Sequence, residues 1–179
     1  MMNNNEGGFS LIETMVALLI VVFGLMALAQ AFVVGVTHMS TSTYDVIARE
    51  KAREAVESVH TARDTRTIVW AQIRNVSAGG VFLDGAQQLR GVSGTEGDGL
   101  VNTNDDSVLP VQFLVAPGPD QILGTADDVM QPLTNFTREI EIRDIQGSST
   151  LRQLRVILRY TVGSQPRTYQ LTTFVSSFS

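Results

Sequence analysis

Three groups of residues in this chain are of types that do chemistry. The first is a single carboxylate, Glu13, the only charge between Phe9 and Val36. An ionised acid among apolar residues is costly in hydrocarbon, so it marks a functional position and calls for a positive partner. The nearest basic side chain in sequence is Arg49, 36 residues on, or about 54 Å along a helix. A free α-amino group would serve if the chain were cut just before Phe9. The second group is two clusters of oxygen donors: Asp98, Asn102, Asn104, Asp105, Asp106, and Asp120, Thr125, Asp127, Asp128. Calcium takes six to eight oxygens on a flexible backbone, and either cluster offers several, though neither has EF-hand spacing. Asp, Asn and Gly are equally the residues that turns prefer, so both readings stand. The third group is His38 and His60, 22 residues apart with no ligand cluster nearby, which reads as ordinary surface or stripe residues.

The remaining composition excludes more than it suggests. There is no cysteine, hence no disulfide, thiolate metal site or cysteine nucleophile. A nucleophile elbow, HExxH, P-loop and GxGxxG are all missing, and Glu13 has no second group to make an acid–base pair, so an enzyme is not expected. A net charge of −5 on 179 residues argues against a nucleic-acid partner, which asks for a basic patch. That charge is local. Residues 84–130 hold eight acids and the single Arg90, a charge of −7, and the rest of the chain is +2.

The elements that must position these groups follow from periodicity. From Phe9 to Val36, 22 of 28 residues are apolar, and Met15 to Ala29 is broken only by Gly24. As a helix, 22 such residues span about 33 Å, a bilayer's hydrocarbon thickness. A soluble core of this size cannot surround a helix apolar on every face. A secretory signal would carry a basic start and a cleavage site after the apolar core. Residues 1–8 hold no Lys or Arg, and the run passes straight into a helix-compatible stretch to Arg63. There Tyr44, Ala48, Ala52, Ala55, Val59 and Ala62 form one apolar stripe, with Glu50–Arg53 and Arg53–Glu57 spaced to pair on the other face. A short helical or extended piece is expected around Trp70.

The second half alternates with period two. Ile140 and Ile142 alternate with Glu139, Glu141 and Arg143, and Leu154, Val156, Leu158, Tyr160 and Val162 with Arg155, Ile157, Arg159 and Thr161. These are antiparallel strands with one covered face, joined by turns at 146–149 and 163–166. Shorter strands are expected over 111–116 and 168–178. The fold class is therefore α+β, a long N-terminal helix packed on an antiparallel sheet, with Gly/Asp-rich loops over 79–130.

The stretch Gly8-Phe9-Ser10-Leu11-Ile12-Glu13 with its apolar continuation, over residues 7–31, closely resembles the cleavage and methylation motif of type IV prepilins. The resemblance implies a type IV pilin-like fold and a leader at 1–8. It implies cutting between Gly8 and Phe9 by prepilin peptidase and N-methylation of Phe9. It gives 9–36 as a transmembrane and assembly helix, and 37–179 as a periplasmic head. Glu13 then becomes the fifth mature residue, pairing with the N-terminal amine of a neighbouring subunit during assembly. Prepilin leaders usually hold a Lys or Arg, which this one does not.

Within that resemblance, Val16-Ala17-Leu18-Leu19 and Gly24-Leu25-Met26-Ala27-Leu28-Ala29 look most like minor pilins of the PilV type. No proline precedes Pro110, unlike the helix of most major pilins. The expected partners are prepilin peptidase, other pilins, the inner membrane and the pilus assembly platform. The expected location is the inner membrane, then the filament. Two alternatives stay open. One is a GspI-like minor pseudopilin of type II secretion, a class in which calcium-holding loops occur. The other is a membrane-anchored adhesion module whose acidic loops (Asp98, Asp105, Asp106, Asp120, Thr125, Asp127, Asp128) hold calcium or another ligand.

Overall fold

Leu, Ala, Val, Ile and Met dominate residues 11–36, and no proline interrupts the chain before Pro110, so one long helix is the low-energy local solution. The computed structural model describes residues 10–91 and 98–178, the side chains of 37–41 excepted. His38 therefore falls outside the described side chains. The first element, α1, runs Leu11–Asp64, 54 residues without a break. It ends where Arg66 turns to φ 59° and the Thr67 amide reaches back to the Ala62 carbonyl at 2.9 Å, a left-handed C-terminal cap.

The chain divides into two units between Thr43 and Tyr44. In the first, Leu11–Val36 is the only span among the described residues long and apolar enough to cross a membrane, with a mean hydropathy of 2.6. Its side chains are exposed.

The second unit is built on a four-stranded antiparallel sheet. The strands are β1 (Gln87–Gln88), β4 (Phe136–Asp144), β5 (Leu151–Val162) and β6 (Gln165–Ser176), in that spatial order; β2 (Phe113–Ala116) and β3 (Val129–Pro132) pair apart as a hairpin. Strands β4 and β5 register from Phe136 opposite Tyr160 to Asp144 opposite Arg152, and β5 and β6 from Val162 opposite Gln165 to Leu151 opposite Ser176. The two-residue connection 163–164 is tighter than the expected turn at 163–166, so Pro166 lies inside β6. It is tolerated there because β6 is an edge strand. Neither β1 nor β3 is announced by its sequence: β1 is two residues long, and β3 sits inside the acidic stretch.

The expected helical stripe is the buried one. Ala48, Ala52, Ala55 and Val59 are wholly enclosed against Phe136, Ile140, Leu154, Val156 and Leu158. Alanine at these positions sets a close approach of helix to sheet, where one larger side chain would overpack at a cost of about 1–3 kcal/mol. On the outer helix face Arg53 pairs with Glu50 (3.2 Å), and nearer the sheet Lys51 pairs with the half-buried Glu54 (2.6 Å). Trp70–Gln72 is a single 3-10 turn.

An aromatic stack joins helix to sheet: Tyr44 on Phe136 at 5.8 Å, and Phe136 on Tyr160 at 5.1 Å. The Tyr160 hydroxyl donates to Asp45 Oδ1 at 2.5 Å. Burial, then the hydrogen bond to the Asp45 carboxylate, pushes the phenol up to about 12. Since the folded value lies above the unfolded one, about 10, the associated stability is present below pH 10 and is lost as the pH rises towards 12. Replacing Tyr160 by Phe should therefore flatten the alkaline fall of the melting temperature relative to wild type, and an identical slope would remove this linkage.

Candidate functional site

Glu13 stands in the first turn of α1. Ser10 caps that turn: its Oγ accepts from the Glu13 amide at 3.3 Å, and its carbonyl accepts from Glu13 and Thr14 at 3.1 and 3.2 Å. Ser-Leu-Ile-Glu thus has the Ser-x-x-Glu spacing of a capping sequence, with the acid where the helix dipole favours it. The carboxylate is exposed on an exposed apolar helix, so a partner for it must come from beyond the described chain. Gly8 and Phe9 lie outside the described residues.

The two oxygen-donor clusters form the same loop twice. In 98–106, the Asp98 amide donates to Asp105 Oδ2 (3.1 Å), Leu100 to Asp98 Oδ1 (2.9 Å) and the Thr103 hydroxyl to Asp105 Oδ1 (2.6 Å). In 120–128, Asp120 donates to Asp127 Oδ2 (3.2 Å), Ile122 to Asp120 Oδ1 (2.9 Å) and the Thr125 hydroxyl to Asp127 Oδ1 (2.6 Å). The second and fifth residues of both take positive φ: Gly99 and Asn102 in one, Gln121 and Gly124 in the other. The final acid closes each turn, Asp106 on the Thr103 amide (3.1 Å) and Asp128 on the Gly124 amide (2.7 Å). Gly118 lets the second loop close, since a Cβ there would stand 2.3 Å from the Asp127 carbonyl oxygen.

These bonds decide what the carboxylates are free to do. The Thr103 and Thr125 hydroxyls hold Asp105 and Asp127 below the usual carboxylate range. Burial pushes Asp106 above it. Among the described residues no three acids or histidines are arranged to hold a metal ion. One oxygen is left over: Asp128 Oδ1 is buried and has no partner. His60 is half-buried on α1, and that burial, aided by Arg63, lowers its pKa. It faces no ligand set.

Two buried arginines went unread in the sequence. Arg138 is 1% exposed. Its Nε donates to Asn102 Oδ1 (2.9 Å), and its Nη1 to the Lys51 carbonyl (3.3 Å) and Glu54 Oε1 (3.5 Å). Asn102 Nδ2 returns a bond to the Arg138 carbonyl (2.8 Å), and Gln112 Nε2 donates to Glu54 Oε1 (3.1 Å). Helix, sheet and first loop are thereby tied at one cation. Burial would raise Glu54, but the Lys51 hydrogen bond and the Arg138 charge outweigh it and hold the carboxyl below its ordinary value. The second, Arg152, lies over the Trp70 ring at 4.1 Å. It donates to the Trp70 and Ile73 carbonyls and to Asp144. The signal was phase: Arg138 and Arg152 fall on the even-numbered, inward positions of β4 and β5.

Against known proteins, residues 3–29 match the family described as the prokaryotic N-terminal methylation motif. No curated relative matches the chain, and no solved structure does. The match spans Gly8, Phe9, Glu13 and the start of the apolar helix. It supports a type IV pilin-like protein that is anchored in the membrane by this helix, processed by prepilin peptidase and assembled with other pilins.

Proposed function

We propose that the chain is a minor pilin of a type IV pilus, a structural subunit of the PilV type. Residues 1–8 are its leader, 9–36 its membrane and assembly helix, and 37–179 its periplasmic head. Prepilin peptidase cuts between Gly8 and Phe9, and Phe9 is then N-methylated. Glu13 carries assembly by pairing with the new amine of a neighbouring subunit. The observation that carries this reading is a lone carboxylate in the first turn of one unbroken 54-residue helix, within the methylation-motif match. The helix is apolar where a membrane would hold it and striped with alanine where it meets the sheet. Absence of proline before Pro110 favours a minor over a major subunit. The long acidic loops favour the pilus over a GspI-like pseudopilus.

Intact mass of the membrane-extracted protein tests the first step. The expected species begins at N-methyl-Phe9. An uncut chain, or one cut beyond Ala31, sinks the proposal.

For the loops, self-closure by threonine and backbone donors makes an ion unnecessary, so a chelator is expected to leave the melting temperature unchanged. A fall of several degrees, restored by calcium, would instead assign an ion there, with Asp128 Oδ1 as the free ligand. It would favour the pseudopilin or adhesion reading.

A further inference from the structure

The two edges of the four-stranded sheet are treated differently. On β4 the outward backbone groups are taken by side chains. Asn75 accepts from the Ile142 amide (2.8 Å) and donates to the Ile140 carbonyl (2.7 Å), and Asn102 donates to the Arg138 carbonyl (2.8 Å). On β6 nothing comparable is present among the described residues. This strand pairs with β5 alone, in one register without a bulge from Gln165 to Ser176. The two-residue connection at 163–164 makes Val162 and Gln165 a hydrogen-bonded pair. Odd-numbered residues of β6 therefore bond β5, and even-numbered ones turn their N–H and C=O outward. Ser176 keeps this phase: its carbonyl accepts from Arg63 Nη1 at 3.3 Å, while the Ser177 amide reaches back to the Thr150 carbonyl (2.8 Å).

The Arg63 contact closes one end of the free edge, and Pro166, which has no N–H, closes the other. Between them Thr168, Gln170, Thr172 and Phe174 present a bare ladder on exposed residues. Residues 168–176 carry no charge, although edges are ordinarily guarded by lysine, a bulge or an inward charge. Unpaired ladder groups specify their partner, an extended strand. The two closed ends narrow it further. When two β6 strands pair antiparallel about Leu171, Pro166 faces Ser176. The N–H that Pro166 lacks is then the one that the Ser176 carbonyl, already bound to Arg63, does not need. Thr168 faces Phe174 and Gln170 faces Thr172, so the free groups between the ends meet their complements. On the helix-side face the half-buried Leu171 meets its own copy, and Tyr169 meets Thr173. Arg167, the one charge on the strand, faces Val175 and meets no like charge. We propose that the β6 edge pairs antiparallel with β6 of a second copy of this chain, centred on Leu171, joining two four-stranded sheets into one. The contact is isologous, so it closes at two copies. It rests on the sheet and not on how the N-terminal helix is processed.

The chain has no cysteine, so cross-linking reports chosen positions only. Full-length Gln170→Cys and Thr172→Cys chains with different tags are co-expressed in membranes and oxidised with iodine. Facing residues of a hydrogen-bonded pair stand about 5.5 Å apart at Cα, within disulfide reach. Both positions are exposed, and an unchanged melting temperature checks each fold. The expected product is a disulfide dimer carrying both tags. Thr168→Pro in both chains deletes an outward N–H and no bond to β5, and should lower the yield at least tenfold. Should that variant melt lower, Thr168→Lys with Phe174→Lys replaces it, since these lysines face each other only across the pair. Val108→Cys, 85% exposed, should give no product with Thr172→Cys. No two-tag disulfide, an equal yield from Val108→Cys or in the blocked variants, same-tag disulfides exceeding the mixed one, or capture of a protein of another mass each overturns the proposal. Glu13 and the residues around Phe9 are unaltered throughout, so failure here leaves the processing test untouched.

Discussion

Arg138→Ala is expected to lower the stability of the head by about 3–5 kcal/mol, the usual cost of removing one partner from a buried ion pair. Three groups lose one donor at once: the Asn102 side-chain carbonyl, the Lys51 backbone carbonyl and Glu54 Oε1. Gln112 Nε2 still donates to Glu54 Oε1 at 3.1 Å, so the heaviest loss falls on the enclosed Asn102 carbonyl. The melting temperature of the full chain in detergent should drop on the order of 10 °C or more. A purely steric role predicts that Arg138→Met, which keeps the apolar stem, restores most of this. An electrostatic one predicts that it does not, until Glu54→Leu removes the carboxylate that has lost the Arg138 charge. Recovery in the double variant but not in Arg138→Met is the expected pattern, and a drop below about 1 kcal/mol in Arg138→Ala would refute the tie.

The same pair sets an acid limb. Glu54 is held below its unfolded pKa, so its contribution is present above pH 4.5 and is lost as the pH falls through the lower folded value. Asp106, raised by burial, works in the opposite sense. Comparing wild type with Glu54→Gln isolates the first group, and the acid fall should be shallower in the variant.

Arg138 also shows what was legible in the sequence. The long helix, its alanine stripe and the strand β5 each rest on a run of six or more residues with one period, and β4 on five, so they could be read without tertiary information. An inward arginine obeys the same period but is a polar type, and patterning by hydrophobicity discards it. What pulls it inside is the joint presence of Glu54 and Asn102, which lie 84 and 36 residues away. The hairpin β2–β3 was half legible, because β3 is defined by its pairing with β2 and not by its own residues. The twin loops had a plain signal, Asp followed five and seven residues later by Thr and Asp-Asp, repeated at an offset of 22. That repeat is one of spacing and not of hydrophobicity, and the hydrogen bonds it sets up face the loop's own amides and hydroxyls.

Glu13→Ala is expected to separate two processes that a merely apolar helix would couple. Removing a carboxylate from an apolar run makes membrane insertion more favourable, by up to about 2.5–3.5 kcal/mol at a bilayer centre and less near its edge. If Glu13 served only to tolerate the membrane, the alanine variant would insert and assemble at least as well as wild type. If instead the acid is retained because an amine of a neighbouring subunit neutralises it, the variant inserts normally, is cut before Phe9, and then fails to join filaments. Loss of a pairing worth about 2.5 kcal/mol corresponds to on the order of a 100-fold fall in incorporation. Glu13→Gln should fall nearly as far, since it keeps the shape but not the charge. The measurement is the fraction of mature chain in sheared filaments against that left in the membrane, with intact mass confirming processing in both. Wild-type incorporation of Glu13→Ala would remove the assembly role, and an uncut variant would move the carboxylate's role to the peptidase. Only the combination of normal cleavage, normal insertion and lost incorporation assigns it to a contact between subunits.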